Sequence, residues 1–275
     1  MKYYIVGKYS SQGPTHDVSG DLNQYYELGW EIMITHYRIK KFLNEKKIDP
    51  GDVIVTANNE RKYLYEKSFN HVISWEEFIN IKDDNKTVID LVNDSVNGPY
   101  EMDLPETDNI ELNNILKSFV ISDHILSKVE SKQYVCLQFR KRDWCVERNI
   151  DESFFSELVN FFSVEKNLDV YVMGFGSEIF CDNKKVFYVN LQEFTTLINN
   201  PNCLLFYSGM SGPAHLSYFF GHQKLNHIVN FVGGPRPIHL QNHPLYMGDI
   251  YNITGVNVTI LPNKITISDI KNVLL

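Results

Sequence analysis

Short apolar runs that stop at Gly, Ser or Asn alternate along this chain with stretches in which apolar residues recur every three or four positions. That alternation limits the fold more than any other feature. Strand, helical stretch and strand in succession predict parallel sheets covered by crossover helices, not hairpins or a helical bundle. The opening KYYIVGKY reads as a buried strand that enters a loop at Ser10-Ser11-Gln12-Gly13-Pro14. From Asp21 the residues Leu22, Tyr25, Leu28, Ile32, Ile39 and Leu43 keep helical spacing as far as the stop at Asp49-Pro50-Gly51. A strand over Asp52 to Asn58, a short helix around Lys62 to Lys67 and a strand over His71 to Ser74 follow.

From Lys82 to Thr107 the chain is rich in Asp and Asn, broken by Gly98-Pro99 and Pro105, and keeps no period. A domain boundary is expected after it, near 115 to 130, dividing residues 1–120 from 121–275. At roughly 150 residues per domain the length also suggests about two domains. The pattern restarts more cleanly at Tyr134. It runs through strand YVCLQFR, a helix from Glu152 to Lys166, strand DVYVMGFG, strand KVFYVN and a helix with Leu191, Phe194, Leu197 and Ile198 on one face. Strand CLLFYSG, a helix from Gly212 to Phe220 and strand HIVNFVG complete it. Two Rossmann-like, doubly wound α/β units with a cleft between them are the simplest summary, with ligands at the carboxyl ends of the strands.

Composition narrows the partners. A net charge of -8 with no Lys/Arg-rich block disfavours nucleic acid held by bulk electrostatics. No stretch approaches the roughly 20 apolar residues that span a bilayer, and the start lacks the apolar core of a signal peptide. Cys136, Cys145, Cys181 and Cys203 form no CxxC pair and read as reduced thiols. A soluble, cytoplasmic protein is expected.

The sharpest chemical signal is Ser208-Gly209-Met210-Ser211-Gly212-Pro213-Ala214-His215, which joins an apolar run to a helical stretch. Ser211 can cap the helix and Pro213 suits its first turn. Gly209 and Gly212 let an anion approach backbone N–H groups, with His215 one turn in. An ordinary capped turn explains the same pattern. Arg140-Lys141-Arg142-Asp143, with Arg148-Asn149 beyond, closes the first strand of the second half and can neutralise a diphosphate; a solvated basic turn is its plain alternative. Gly174-Phe175-Gly176 allows a close backbone turn, but the third glycine of a dinucleotide fingerprint is missing, and no P-loop occurs. In the first half the loop Ser10 to Gly20 holds His16 and Asp17, either able to deprotonate an acceptor hydroxyl, or Asp17 simply to cap a helix. Asn58-Asn59-Glu60-Arg61 suits sugar hydroxyls or a plain turn. No metal site is expected: His239 and His243 lie among prolines, and there is no Asp-x-Asp to clamp a metal-nucleotide complex.

In its motif order over about residues 134 to 235, the second half resembles the donor domain of GT-B glycosyltransferases, and among them the heptosyltransferase-like branch, with its Asp-Ser/Thr-Gly-x-x-His-Leu turn. The resemblance implies that Ser211, Gly212 and His215 bind the donor diphosphate, that Arg140 and Arg142 neutralise it, and that Glu193, with Gly174 and Gly176, lies where the nucleoside is held. Met210 stands where the family has Asp, which marks a divergent relative and not a heptosyltransferase itself. The function so implied is a metal-independent transfer from a nucleotide-diphosphate sugar, as substrate and with no cofactor, to a glycan acceptor. Asp17 or His16 would serve as base. A nucleotide-sugar epimerase or hydrolase of the same fold, a non-catalytic glycan-binding protein and a DNA-directed transferase are the alternatives.

Overall fold

The computed structural model describes residues 3–6, 36–81, 87–90, 118–129, 131–141, 146, 149–174, 183–209, 212–231, 255–262 and 265–274. The chain divides into two compact units, Met1–Val120 and Ile121–Leu275.

In the first unit β1 (Tyr3–Val6), β2 (Val53–Ala57), β3 (Val72–Ser74) and β4 (Thr87–Asp90) form a four-stranded sheet in the order β3-β2-β1-β4, parallel at every pairing. All five residues of β2 are buried, as a central strand of a parallel sheet requires. Of the long helix expected from Asp21, the described part is α1 (His36–Lys46), which buries Ile39 and Leu43, one turn apart. The expected helix at Lys62 is a 3₁₀ segment, Asn59–Leu64, that begins earlier because the Asn58 side chain accepts the Glu60 N–H at 2.8 Å. Ser74 ends β3 and caps α2 (Trp75–Ile79): its hydroxyl accepts the Glu77 N–H at 3.0 Å while the Glu77 carboxylate accepts the Ser74 N–H at 2.5 Å. Strand β4 falls inside the stretch with no period. Its four residues are too few to show one, and its pairing with β1, from Tyr3 against Thr87 to Val6 against Asp90, makes it a strand.

The second unit holds α3 (Asp123–Val129), β5 (Tyr134–Gln138), α4 (Glu152–Asn160), β6 (Asp169–Met173), β7 (Val186–Tyr188), α5 (Leu191–Asn199), β8 (Cys203–Gly209), α6 (Ala214–Phe220), β9 (Asn226–Phe231), β10 (Asn257–Pro262) and α7 (Ile267–Leu274). Its six strands are all parallel, in the order β10-β9-β8-β5-β6-β7. From β5 the chain steps outward through β6 to β7, then returns to the other side of β5 and steps outward again from β8 to β10. The strand order therefore reverses between β5 and β8. Alternation along the strands sorts two cores. Val135, Leu137, Leu205, Tyr207 and Ile228 face Phe155, Leu158 and Ile270 from α4 and α7, whereas Phe206 packs edge-on to Phe194 of α5 at 5.2 Å.

Two helices differ from expectation. The one expected from Glu152 to Lys166 is α-helical to Asn160 and continues as a π turn over Phe161–Glu165, with the Lys166 N–H donating to the Phe161 carbonyl at 3.0 Å. The wider turn accompanies burial of both Phe161 and Phe162, neighbours that a regular α-helix would turn about 100° apart. The helix expected from Gly212 starts at Ala214, because the first bonds, His215 N–H to the Gly212 carbonyl and Leu216 N–H to that of Pro213, are tight three-residue turns. Pro213 occupies the cap position and offers no side-chain bond. Strand β10 and helix α7 lie beyond the last expected element. α7 opens with Thr266 and Asp269 exchanging bonds, the Thr266 N–H reaching Asp269 Oδ2 at 2.7 Å.

Gly174, just past β6, has φ +141°, and a Cβ there would meet the Phe139 carbonyl oxygen at 1.9 Å. Gly174→Ala is expected to cost about 3 kcal/mol or more, because backbone and not a flexible side chain stands in the way. Urea unfolding measures this, and a midpoint equal to that of the parent chain would refute it.

Candidate functional site

A parallel sheet opens a crevice at the carboxyl ends of the two strands between which its order reverses. In the second unit those strands are β5 and β8, paired as far as Leu137 against Tyr207. Arg140 lies three residues past that pair on one strand, and the 209–215 segment follows on the other. Arg140 is only 5% exposed. Its Nη1 donates to Asn149 Oδ1 at 2.6 Å and its carbonyl accepts the Ile150 N–H at 2.9 Å, so residues 149–150 return to hold it. Asn149 is a neutral acceptor, and its contact orients the guanidinium. A buried cation of this kind costs several kcal/mol unless the site supplies compensating groups.

The helix starts around this point differ in what they accept. At α4, Asp151 Oδ1 accepts the Phe154 N–H at 2.9 Å, Glu152 follows, and Lys141 is paired with Glu152, so carboxylates already occupy that end. At α5, Asn190 and Glu193 form a capping box, each side chain accepting the other's backbone N–H, at 2.9 and 3.0 Å. Glu193, expected on the nucleoside side, thus has a described role as a cap. α6 has no side-chain cap and no acidic residue in its first turn.

Behind α6 lies a polar cluster that the sequence did not single out. His227 of β9 is fully buried, its ring stacked on Phe206 at 4.3 Å, with Ser208 Oγ 2.8 Å from Nε2 and Ser217 Oγ 2.5 Å from Nδ1. Burial, and then the neighbouring His215, lower its pKa to about 3. His215 itself is brought down to about 4 by burial, and its Nδ1 is buried with no hydrogen-bond partner among the described residues. At neutral pH both rings are uncharged, so His215 offers a hydrogen bond and no charge. On the opposite face, Asn230 donates to the Tyr207 hydroxyl at 3.2 Å while its Oδ1 is buried without a partner, and burial pushes the Tyr207 pKa up. One signal was available for these residues: His227 and Asn230 are polar positions in the expected strand HIVNFVG.

Of the expected site residues, Arg140, Gly212 and His215 follow the two strands at the reversal. Gly174 follows β6, one strand away, where the Phe139 carbonyl fills the space its side chain would take. Arg142, Gly176 and Ser211, and the expected bases His16 and Asp17, lie outside the described residues. In the first unit Asn58 is spent on capping the Glu60 N–H. Among the described residues no group of three or more His, Cys, Asp or Glu side chains is placed to hold a metal ion, and no helix is long and apolar enough to cross a membrane.

No family model matches the chain, and no curated protein matches its sequence. Solved structures do resemble it. E. coli ADP-heptose LPS heptosyltransferase II is 10% identical with a TM-score of 0.51, the alignment covering 100% of this chain and 98% of that one. E. coli heptosyltransferase WaaC, solved with ADP-2-deoxy-2-fluoro heptose, is also 10% identical with a TM-score of 0.51, covering 99% and 98%. At such identity the likeness is one of fold.

The depressed histidines make stability pH-dependent in a defined direction. Their reference pKa is 6.5 and their folded values are about 4 and about 3, so below 6.5 the unfolded chain binds protons that these sites refuse. Their contribution is complete above pH 6.5 and is lost as pH falls, by up to about 1.4 kcal/mol per pH unit for each ring. His222, also lowered chiefly by burial, acts in the same direction. Urea midpoints measured between pH 7.5 and 5, above the carboxylate range, are expected to hold level down to about pH 6.5 and fall below it, and a flat profile throughout would contradict the burial of these rings.

Proposed function

We propose that this chain is a glycosyltransferase that moves a sugar from a nucleotide-diphosphate donor to a glycan hydroxyl without a metal ion. The observation that carries the reading is the juxtaposition at the β5/β8 reversal of a buried, oriented guanidinium, Arg140, with a helix start that bears neither cap nor acid. The fold shared with two heptosyltransferases supports it, one an ADP-heptose LPS heptosyltransferase and the other solved with ADP-2-deoxy-2-fluoro heptose.

In this reading the second unit binds the donor and the first the acceptor. The diphosphate lies against Gly212 and Ser211, with Arg140 and Arg142 supplying positive charge and His215 a neutral hydrogen bond. The nucleoside lies toward Glu193, Gly174 and Gly176. As the bond from the anomeric carbon to the phosphate oxygen breaks, negative charge gathers on the leaving diphosphate, where fixed cations stabilise it. The acceptor oxygen bonds to the anomeric carbon, and Asp17 or His16 takes the hydroxyl proton. Free, buried Cys136 and Cys203 suit a reducing, cytoplasmic compartment. A second reading, a glycan-binding protein with a decayed donor site, is favoured by Met210 standing where the family turn has Asp.

Calorimetry with ADP, GDP, UDP and CDP is expected to show binding by at least one, unaffected by EDTA; binding by none would sink the proposal. Arg140→Lys keeps the charge but loses the planar fork, and its diphosphate affinity is expected to fall about tenfold or more. Unchanged affinity would remove Arg140 from the site. Sugar transfer to a glycan acceptor separates the enzyme from the decayed relative, which would bind donor without turnover.

A further inference from the structure

His227 has no packing reason to be a histidine. It is wholly buried and lies flat on Phe206, with ring planes 10° apart, an arrangement that phenylalanine would satisfy without desolvating two ring nitrogens. What phenylalanine lacks is the pair of hydrogen bonds, and both of these reach elements that flank the candidate turn. Ser208 is the last residue but one of β8, and Ser217 lies in α6. Ser217 Oγ is also 3.2 Å from the carbonyl of Ala214, the first residue of that helix.

Among the bonds named, one arrangement gives every proton an acceptor. The single hydroxyl proton of Ser217, donated to Ala214, leaves its oxygen to accept from His227 Nδ1–H, and Nε2 then accepts the Ser208 proton. Each donor has an acceptor, and the bonds run in one direction from β8 through β9 to the start of α6. The other tautomer takes the Ser217 proton away from Ala214 and leaves the Ser208 proton with no acceptor inside the cluster.

We propose that His227 is a positioning residue that, through Ser208 and Ser217, ties the end of β8 to the start of α6 and so fixes Gly212 relative to Gly209 for a diphosphate. This rests on the donor site proposed above. The bridge makes no contact with the ligand; it works by holding backbone on either side of the turn. Directional hydrogen bonds set distance and angle together, which the packing of apolar side chains does less sharply.

The test compares the parent chain, His227→Phe, and the triple variant Ser208→Ala/Ser217→Ala/His227→Phe. His227→Phe strands the buried Ser208 hydroxyl, while Ser217 keeps its bond to Ala214, and should lower the melting temperature, whereas the triple variant removes the stranded hydroxyl and should recover most of it. Affinities for the nucleoside diphosphate that the parent binds, and for the matching nucleoside, are read by calorimetry. Loss of about tenfold in diphosphate affinity by the triple variant, with nucleoside affinity retained, is the expected result. Diphosphate affinity that recovers along with the melting temperature would show a merely structural role and overturn the proposal. Amide hydrogen exchange at Ala214 to Ser217 without ligand supplies a second arm: about tenfold faster exchange in the triple variant is expected, and unchanged exchange would overturn the bridge. If the parent binds no diphosphate, the donor-site reading fails, and exchange alone still decides whether the bridge holds the turn. Should the triple variant not fold, Ser208→Ala and Ser217→Ala carry the same two measurements singly.

Discussion

The ladder between β5 and β8 joins segments far apart in sequence, from Tyr134 against Cys203 to Leu137 against Tyr207, and most of what the second unit does depends on it. Closing so long a loop costs chain entropy before any contact is gained. The return comes from burial: Val135, Leu137, Leu205 and Tyr207 enter one core, while Phe206 enters the other. Because the pairing is parallel, both strands release their chains at the same end of the sheet. Because β5 is the first strand of this sheet among the described residues and β8 arrives only after β6 and β7 are built, the two chains leave in opposite senses. At such a reversal a crevice is expected, and Arg140 and the start of α6 follow the two strands that bound it.

The polar groups around that reversal run against the interest of the core. Arg140, His227 and Asn230 are each buried, and each sacrifices solvation that an apolar residue would not have needed to give up. Arg140 and His227 recover much of this through hydrogen bonds, at 2.6 Å to Asn149 and at 2.8 and 2.5 Å to the two serines. Asn230 Oδ1 and His215 Nδ1 do not. Departures from local consistency concentrate where a protein has work to do, and here they lie on, or a few residues past, three adjacent strands, β5, β8 and β9.

How much of this was legible follows from the kind of signal each element sends. Strands β5, β6 and β8 announce themselves because buried parallel strands carry near-continuous apolar runs, and α5 because Leu197, Ile198 and Phe194 repeat at helical spacing. Strand β4 is invisible by the same rule: four residues, Thr87 to Asp90, become a strand only through a partner at the far end of the unit. The π turn and the late start of α6 are decided by hydrogen bonds one residue longer or shorter than the α pattern, which periodicity does not resolve. At the site, Arg140 and His215 could be picked out as chemistry-bearing residues at the ends of strands. Glu193 could equally have been read as the fourth member of Asn-x-x-Glu, a capping box, since the spacing that suggested a ligand contact is also that of a cap. His227 was passed over because a lone histidine in an apolar strand carries no spacing at all; its partners come from two other elements.

One further consequence concerns the margins of the second sheet. A row of unpaired N–H and C=O groups at an edge is a template on which another chain can add itself. Here β7 offers three residues, Val186 to Tyr188, too short a row to guide a newcomer, even though Phe187 and Tyr188 are each 38% exposed. The opposite margin, β10, ends in Pro262, which has no N–H to give. Among the described residues, the two margins of this sheet thus offer an incoming strand a three-residue row on one side and a row closed by a proline on the other.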